Sequence, residues 1–337
     1  MRSVELFAGG GGLALGTHLA GFSTELVAEW DARSCQTLRA NYAANDSKQA
    51  FTQVKVCEGD VRNIDWSGVA PGVDLVSGGP PCQPFSLGGK AMAAEDPRDM
   101  FPATAEVIRQ LQPRAFMIEN VRGLTRAAHT DLQYNVVTQL VNAADYGVPQ
   151  QRWRVFFVGF RSDVDAEWSF PSPTHSGAAL RAIQESGEYW DSYRVPKSQH
   201  KIEVRNSGDP QLLPWLTVRD ALVGLPEPTM ETSPLFFDHV LQPGARVYPG
   251  HTGSFIDSPA KALKAGVHGV PGGENMLRRV DGSVRYFSVR EAARLQTFPD
   301  DYRFSGPWSE AIRQLGNAVP VRLAQIVAGS IGRALMD

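Results

Sequence analysis

Short apolar runs alternate with helical patterns through the first 160 residues, and no other feature of the chain restricts its fold as strongly. Residues 4–7 read as a first strand, and a helix opens at 13–20 after four glycines. Residues 25–28 form a second strand and Ala32–Tyr42 an amphipathic helix, with further short buried runs at 54–57, 73–77 and 115–118. Strands that alternate with helices predict a parallel, doubly wound, Rossmann-like α/β sheet.

Near residue 170 the texture changes. Pro171, Pro173, Pro196, Pro210, Pro214, Pro226, Pro228, Pro234, Pro243 and Pro249 punctuate a stretch with few clear periods. A chain of 337 residues has room for about two domains. We expect a catalytic domain over 1–174, completed by 300–337, a smaller irregular domain over 175–285, and a return segment over 286–299. Helical pattern reappears at 289–297 and 321–335.

Composition narrows the function classes. No run is long and apolar enough to span a membrane. The chain opens on a strand that carries a charge, Glu5, so no signal peptide is expected. Three cysteines, at 35, 57 and 82, are too few and too scattered for a disulfide framework or a zinc site, so no metal is expected and a reducing cytoplasm is the expected location. The net charge of −3 carries no nucleic-acid signature by itself. Its distribution does more: residues 241–290 hold Arg246, Lys261, Lys264, Arg278, Arg279, Arg285 and Arg290 against Asp257, Glu274 and Asp281. Such a bias fits a solvated surface as well as a phosphate-binding face.

Gly79-Pro80-Pro81-Cys82-Gln83 follows the apolar run at 73–77. Two prolines fix φ and remove two backbone donors, which makes the turn into Cys82 rigid. Open α/β sheets place their chemistry at the carboxyl ends of strands. A lone cysteine is more often a buried structural thiol, so the assignment of Cys82 as a nucleophile depends on its company. Glu119-Asn120-Val121 ends the run at 115–118, where a carboxyl group can neighbour Cys82. Gln150-Gln151-Arg152-Trp153-Arg154 precedes another apolar strand, and alternation is expected to put Arg152 and Arg154 on one face. Each guanidinium is a fixed cation able to hold a carbonyl oxygen or a phosphate.

The loop Phe7-Ala8-Gly9-Gly10-Gly11-Gly12-Leu13-Ala14 joins the first strand to the first helix. Its glycine spacing lets a ligand approach the backbone, and Glu29, about twenty residues on, can accept from ribose hydroxyls. A nicotinamide dinucleotide is the usual inference from such a loop. Trp30 offers an aromatic face for a purine, however, and Asp60 a carboxylate for an adenine amine, which fits an adenosine ligand that needs no pyrophosphate.

With these residues in order, the chain resembles the DNA (cytosine-5)-methyltransferases of bacterial restriction–modification type. The resemblance runs through the Phe7–Gly12 loop, Pro80-Pro81-Cys82-Gln83, Glu119-Asn120-Val121 and Gln150-x-Arg152-x-Arg154. It continues through Arg290-Glu291-x-x-Arg294-Leu295-Gln296-x-Phe298-Pro299 and Gln314-x-Gly316-Asn317-Ala318-Val319-Pro320. It implies S-adenosylmethionine as cofactor and a cytosine in double-stranded DNA as substrate, flipped out of the helix. Cys82 would attack C6, Glu119 would hydrogen-bond N3 and the exocyclic amine, Arg154 would hold O2, and Arg152 would support the pocket or the mobile loop. Phe7, Gly9, Gly11, Gly12, Glu29, Trp30, Asp60, Val61, Pro80, Asn317 and Ala318 would bind the cofactor. Gln83, Ser86 and Arg98 would contact DNA from the loop after Cys82, and His251, Lys264 and His268 from the recognition domain. A monomer is expected, with any cognate restriction endonuclease acting separately. A transfer-RNA cytosine methyltransferase and a catalytically silent DNA-binding paralogue are the competing readings. The long recognition segment speaks against the first, and intact Cys82, Glu119 and Arg154 against the second.

Three features depart from the family pattern. Trp153 stands where a charged residue is expected, and its indole is expected to pack on the sheet. Ala262 precedes Leu263 where the family usually has a threonine. The strand at 115–119 and that near 134–140 are expected to be parallel neighbours, yet residues 123–133 are too few for a crossover helix. Either that helix is absent or a segment between Thr125 and Asp131 is skipped, and the skip is the expected reading.

Overall fold

The computed structural model describes residues 1–42, 54–69, 71–81, 100–121, 132–232, 235–266 and 273–336. Cys82, Gln83, Ser86, Arg98, His268 and the expected skip at 125–131 lie outside the described residues.

The chain divides into two compact units, the first made of Met1–Val141, Trp153–Pro171 and Ala324–Asp337. Its strands are β1 (Arg2–Leu6), β2 (Ser23–Glu29), β3 (Lys55–Glu58), β4 (Leu75–Gly78), β5 (Ala115–Asn120) and β6 (Tyr134–Asn142). Gln150–Gln151 (β7) lies in the other unit, and Trp153–Arg161 (β8) returns to the first. Helices α1 (Gly12–Leu19), α2 (Ala32–Tyr42) and α3 (Phe101–Leu111) belong to the same unit. The seven-stranded sheet runs β3-β2-β1-β4-β5-β8-β6. From β3 to β5 neighbouring strands are parallel, while β5 and β8 are antiparallel. The predicted doubly wound α/β fold is present.

Two consequences of this order matter for the site. The order reverses between β1 and β4, which is where open α/β sheets form their ligand crevice. Because β8 runs against β5, its first residues stand beside the last residues of β5. The expectation that the strands at 115–119 and 134–140 are parallel neighbours is wrong: β8 is inserted between them. β6 runs against β8, with the Ser162 N–H donating to the Gln133 carbonyl and the Ala143 N–H to the Arg152 carbonyl, so it is parallel to β5 and the connection between them has to cross β8.

Core packing follows the alternation of side chains across a sheet. Val4 and Leu6 of β1 join Val76, Phe116 and Ile118 in a buried cluster that α3 covers with Val107 and Ile108. Gly159 of β8 is required by this packing, since a Cβ there would lie 2.3 Å from the Phe116 ring.

The second unit comprises Asn142–Arg152 and Ser172–Leu323. It is less irregular than its prolines suggest. Ser176 caps α4 (Gly177–Ser186) through the Ala179 N–H, and Gly187 ends it in the left-handed region. Thr217 with Asp220 and Ser288 with Glu291 form capping boxes on α6 (Val218–Leu222) and α7 (Val289–Leu295), with the short α5 (Glu188–Ser192) between α4 and α6. Helix α8 (Trp308–Asn317) follows α7. No helix among the described residues is long and apolar enough to cross a membrane.

Candidate functional site

Four strand ends of the first unit converge on one cleft of about 220 Å³, lined by Phe7, Ala28, Glu29, Trp30, Gly59, Asp60, Val61, Arg62, Pro81 and Met100. Phe7, Glu29, Trp30, Asp60 and Val61 are thus brought together as the sequence predicts. Phe7 takes φ 55° although it is not glycine. Such a conformation costs of order 1–3 kcal/mol and persists only where its surroundings impose it. Gly9 and Gly11 stand at φ 53° and 86°, where a side chain would be strained. Gly11 caps α1, and Gly12 is its first residue.

Glu29 organises this cleft. Its Oε2 accepts from the Gly9 N–H at 2.7 Å, and its Oε1 from the N–H groups of Trp30 and Asp31 at 2.9 and 2.8 Å. One carboxylate therefore ties the glycine loop to the end of β2. Burial pushes the Glu29 carboxyl above its usual range, against the pull of those three donors. Beside it the Trp30 ring is 76% exposed, an indole left facing solvent. Asp60 caps a short turn, accepting from the Arg62 N–H at 2.9 Å and pairing with its guanidinium, which holds the carboxyl below its ordinary value.

Beneath the loop lies a carboxyl group that the sequence marks only as a charge in an apolar strand. Glu5 is buried in β1, accepts from Ser77 Oγ at 2.8 Å and from the Ala14 N–H, and burial pushes its pKa up to about 8. Burial therefore favours its protonated form. Arg62, Pro81 and Met100 were likewise missed as cleft residues. Met100 belongs to none of the sequence motifs.

At the other side of the switch point, Arg154 Nε lies 2.7 Å from Glu119 Oε1, and both side chains are largely buried. Register explains the meeting: Asn120 pairs with Val155 across the antiparallel ladder, so the residue before Val155 falls beside the end of β5. Asn120 is a brace. Its Nδ2 donates to the Pro80 carbonyl at 3.0 Å and its Oδ1 accepts from the Val121 N–H at 2.8 Å. The turn before Cys82 is thereby fastened to the strand carrying Glu119. Gly79 belongs to the same contact, since a Cβ there would stand 3.3 Å from Glu119 Oε2.

Arg152 and Arg154 do not share a set of partners. Arg152 lies between β7 and β8, fully buried, and donates to the carbonyls of Leu263 and Gly316 at 3.2 and 2.8 Å. Trp153 is not packed on the sheet as expected but 40% exposed. Asn317 is exposed at the last turn of α8, and Ala318 is buried behind it, accepting from Gln296 Nε2 at 3.3 Å.

The basic stretch at 241–290 is mostly not an open cationic face. Arg278 pairs with Glu203, Arg279 with Glu227, and Arg285 with both Glu227 and Glu291. Arg290 is fully buried and donates to the carbonyls of Phe237, Pro299 and Tyr302. Two of the predicted DNA-contacting residues meet at one acid: Lys264 Nζ is 3.0 Å and His251 Nδ1 3.5 Å from the Glu274 carboxylate.

The chain is similar to known proteins along most of its length. The profile of a family described as C-5 cytosine-specific DNA methylase matches residues 1–333. The type II methyltransferase M.PspPI of Psychrobacter sp. (strain TA137) is 33% identical, with 98% of this chain and 79% of that one covered. M.NgoMIV of Neisseria gonorrhoeae, also a type II methyltransferase, is 32% identical over 99% of this chain and 97% of its own. Among solved structures, an E. coli prophage-encoded chain described as a DNA modification methyltransferase superposes with a TM-score of 0.67 at 20% identity, covering all of both chains. At that identity the likeness concerns the fold.

Proposed function

The chain belongs to the C-5 cytosine-specific DNA methylases, and from that premise we propose that it methylates C5 of a specific cytosine in double-stranded DNA, using S-adenosylmethionine and a flipped-out target base. The observation that carries this reading is the Glu119–Arg154 pair at the strand end to which the turn before Cys82 is fastened.

The residues of the cleft suit the cofactor. A buried carboxylate stands where ribose hydroxyls can donate to it, an exposed indole can cover a purine, and Asp60 borders the same space. When bound, S-adenosylmethionine supplies an electrophilic methyl group on a sulfonium sulfur. Glu29, Trp30 and Asp60 would bind and orient the adenosine, with Phe7 lining the same cleft.

Inside an aromatic ring, C5 of cytosine is a poor nucleophile. Addition of the Cys82 thiolate to C6 forms an S–C6 bond and moves the C5–C6 π electrons onto C5, which then behaves as an enamine carbon. Glu119 hydrogen-bonds N3 and the exocyclic amine and favours the ring protonated at N3 as attack proceeds. Arg154 holds O2. After C5 is alkylated, loss of the C5 proton and departure of the thiolate restore the double bond. The target base must leave the duplex, because both its ring faces are used.

The test is incorporation of radiolabelled methyl from S-adenosylmethionine into plasmid DNA and into transfer RNA, for the wild type and Cys82→Ala. Duplex DNA is expected to be labelled by the wild type alone, and DNA carrying 5-fluorocytosine is expected to give a denaturation-resistant adduct through Cys82. Labelling confined to transfer RNA, or full activity in Cys82→Ala, would overturn the reading.

A further inference from the structure

Residues 260–265 of the second unit have their main chain held from three separate places in the sequence. Ala260–Lys261 pairs in parallel with β7, and the Ala260 N–H donates to the Pro149 carbonyl at 2.9 Å. The Leu263 N–H donates to Gln150 Oε1 at 3.1 Å, and the Leu263 carbonyl accepts from Arg152. Lys264 is gripped at both ends: its N–H donates to Asn275 Oδ1 at 3.0 Å, and its carbonyl accepts from Asn275 Nδ2 at 2.9 Å. Gln150, Arg152 and Asn275 are all fully buried. Gly316 completes the seat, because a Cβ there would lie 2.4 Å from the Ala265 nitrogen.

Burying three polar side chains is costly unless every one is satisfied. Here the backbone of a short segment with almost no secondary structure of its own bonds to all three, while Gln150 Nε2 also donates to the Leu295 carbonyl and Arg152 to the Gly316 carbonyl. Such a segment is fixed far more firmly than its own hydrogen bonds would allow. What it presents outward is cationic. The Lys264 side chain is 56% exposed, and Lys261 is exposed with its ammonium 2.9 Å from Thr252 Oγ1. A cation on a rigid main chain loses less freedom when it meets its partner, so pre-organisation of this kind increases affinity. Phosphate contacts are the interactions that set the register of a protein on a duplex.

We propose that Gln150, Arg152 and Asn275 are positioning residues for DNA, holding the Leu263–Lys264 main chain so that the Lys264 ammonium meets a backbone phosphate of the duplex. The inference rests on the reading of the chain as a DNA methyltransferase. Glu274 acts as the resting partner of Lys264, and phosphate takes its place on the ammonium when DNA is bound.

The experiment is a salt series of Kd for a fluorescein-labelled DNA duplex of fixed sequence. Each phosphate contact contributes about 0.9 to the slope of log K against log salt concentration. Lys264→Gln is expected to lower that slope by about 0.9, Asn275→Ala to lower it by a similar amount, and the double variant to go no lower. Glu274→Gln, which frees the ammonium and leaves the seat intact, is expected to tighten binding with the slope retained. An Asn275 acting only as structural glue would weaken binding with an unchanged slope. That result overturns the proposal, as does an unchanged slope in Lys264→Gln or weakened binding in Glu274→Gln. A wild type that binds no duplex at all defeats the proposed function itself. Intact binding with unmoved slopes defeats only this inference.

Discussion

Arg154 and Glu119 form an ion pair between the first residues of one strand and the last of its antiparallel neighbour, with Nε and Oε1 2.7 Å apart. A chain running parallel to β5 at this position would have carried its arginine to the opposite edge of the sheet. Removing one partner leaves a largely buried charge uncompensated, which costs on the order of 3 kcal/mol. Arg154→Ala and Glu119→Ala are therefore each expected to be destabilised, and the double variant to be less so than the two losses added together. Urea denaturation of the three variants and the wild type measures this. Strict additivity would mean that the pair does not interact in the folded protein.

Glu119→Gln is expected to lower turnover by roughly two to four orders of magnitude, the range associated with a positioned acid or base. The amide reaches the exocyclic amine but stabilises no proton at N3. Methyl incorporation at saturating duplex and S-adenosylmethionine reads the effect. Turnover close to that of the wild type would remove Glu119 from this role.

The parts of the fold that were legible in the sequence are those dictated locally. Strands β1, β2, β4 and β5 are buried runs between turns, and Ala32–Tyr42 was bounded correctly from its pattern alone. Helix α3 went unseen: it opens on Phe101-Pro102 with no acidic residue in its first turn and no side-chain cap. The place of β8 was not legible either. Which strand pairs with β5 is a non-local choice, and only that choice explains why Arg154, not Arg152, meets Glu119. Local alternation suggested one face for both arginines, but Arg152 sits between two strands belonging to different sheets. In the second unit, Ser176 and Gly187 were readable helix boundaries that the density of prolines obscured.

Trp30 separates binding from stability. With its ring 76% exposed, truncation removes almost no packing, and Trp30→Ala is expected to stay within about 0.5 kcal/mol of wild-type stability. Stacking of an aromatic ring on a base is worth about 1–3 kcal/mol, so the Kd for S-adenosylmethionine is expected to rise roughly tenfold or more. Isothermal titration beside thermal unfolding tests both halves. A large fall in stability, or unchanged cofactor affinity, would contradict the placement of the adenine against this ring.

Glu5 gives the chain a pH dependence that one substitution can isolate. Its carboxyl is buried between β1, Ser77 of β4 and the Ala14 N–H of α1, and burial raises its pKa from 4.5 to about 8. The folded state therefore keeps a proton that the unfolded chain has released. Stability falls with rising pH wherever the native state binds more protons, so the Glu5 contribution is fully present below about pH 4.5 and is lost as pH rises through about 8. Glutamine accepts the same two hydrogen bonds and never ionises. Subtracting wild type from Glu5→Gln cancels every other titrating group, and the difference is expected to move in favour of the variant between pH 5 and about pH 8.5, by up to a few kcal/mol. Urea denaturation midpoints of both proteins across that range supply the measurement. A difference independent of pH would mean that Glu5 is ionised, or reached by water, in the folded protein. The glycine loop above it would then rest on a different support.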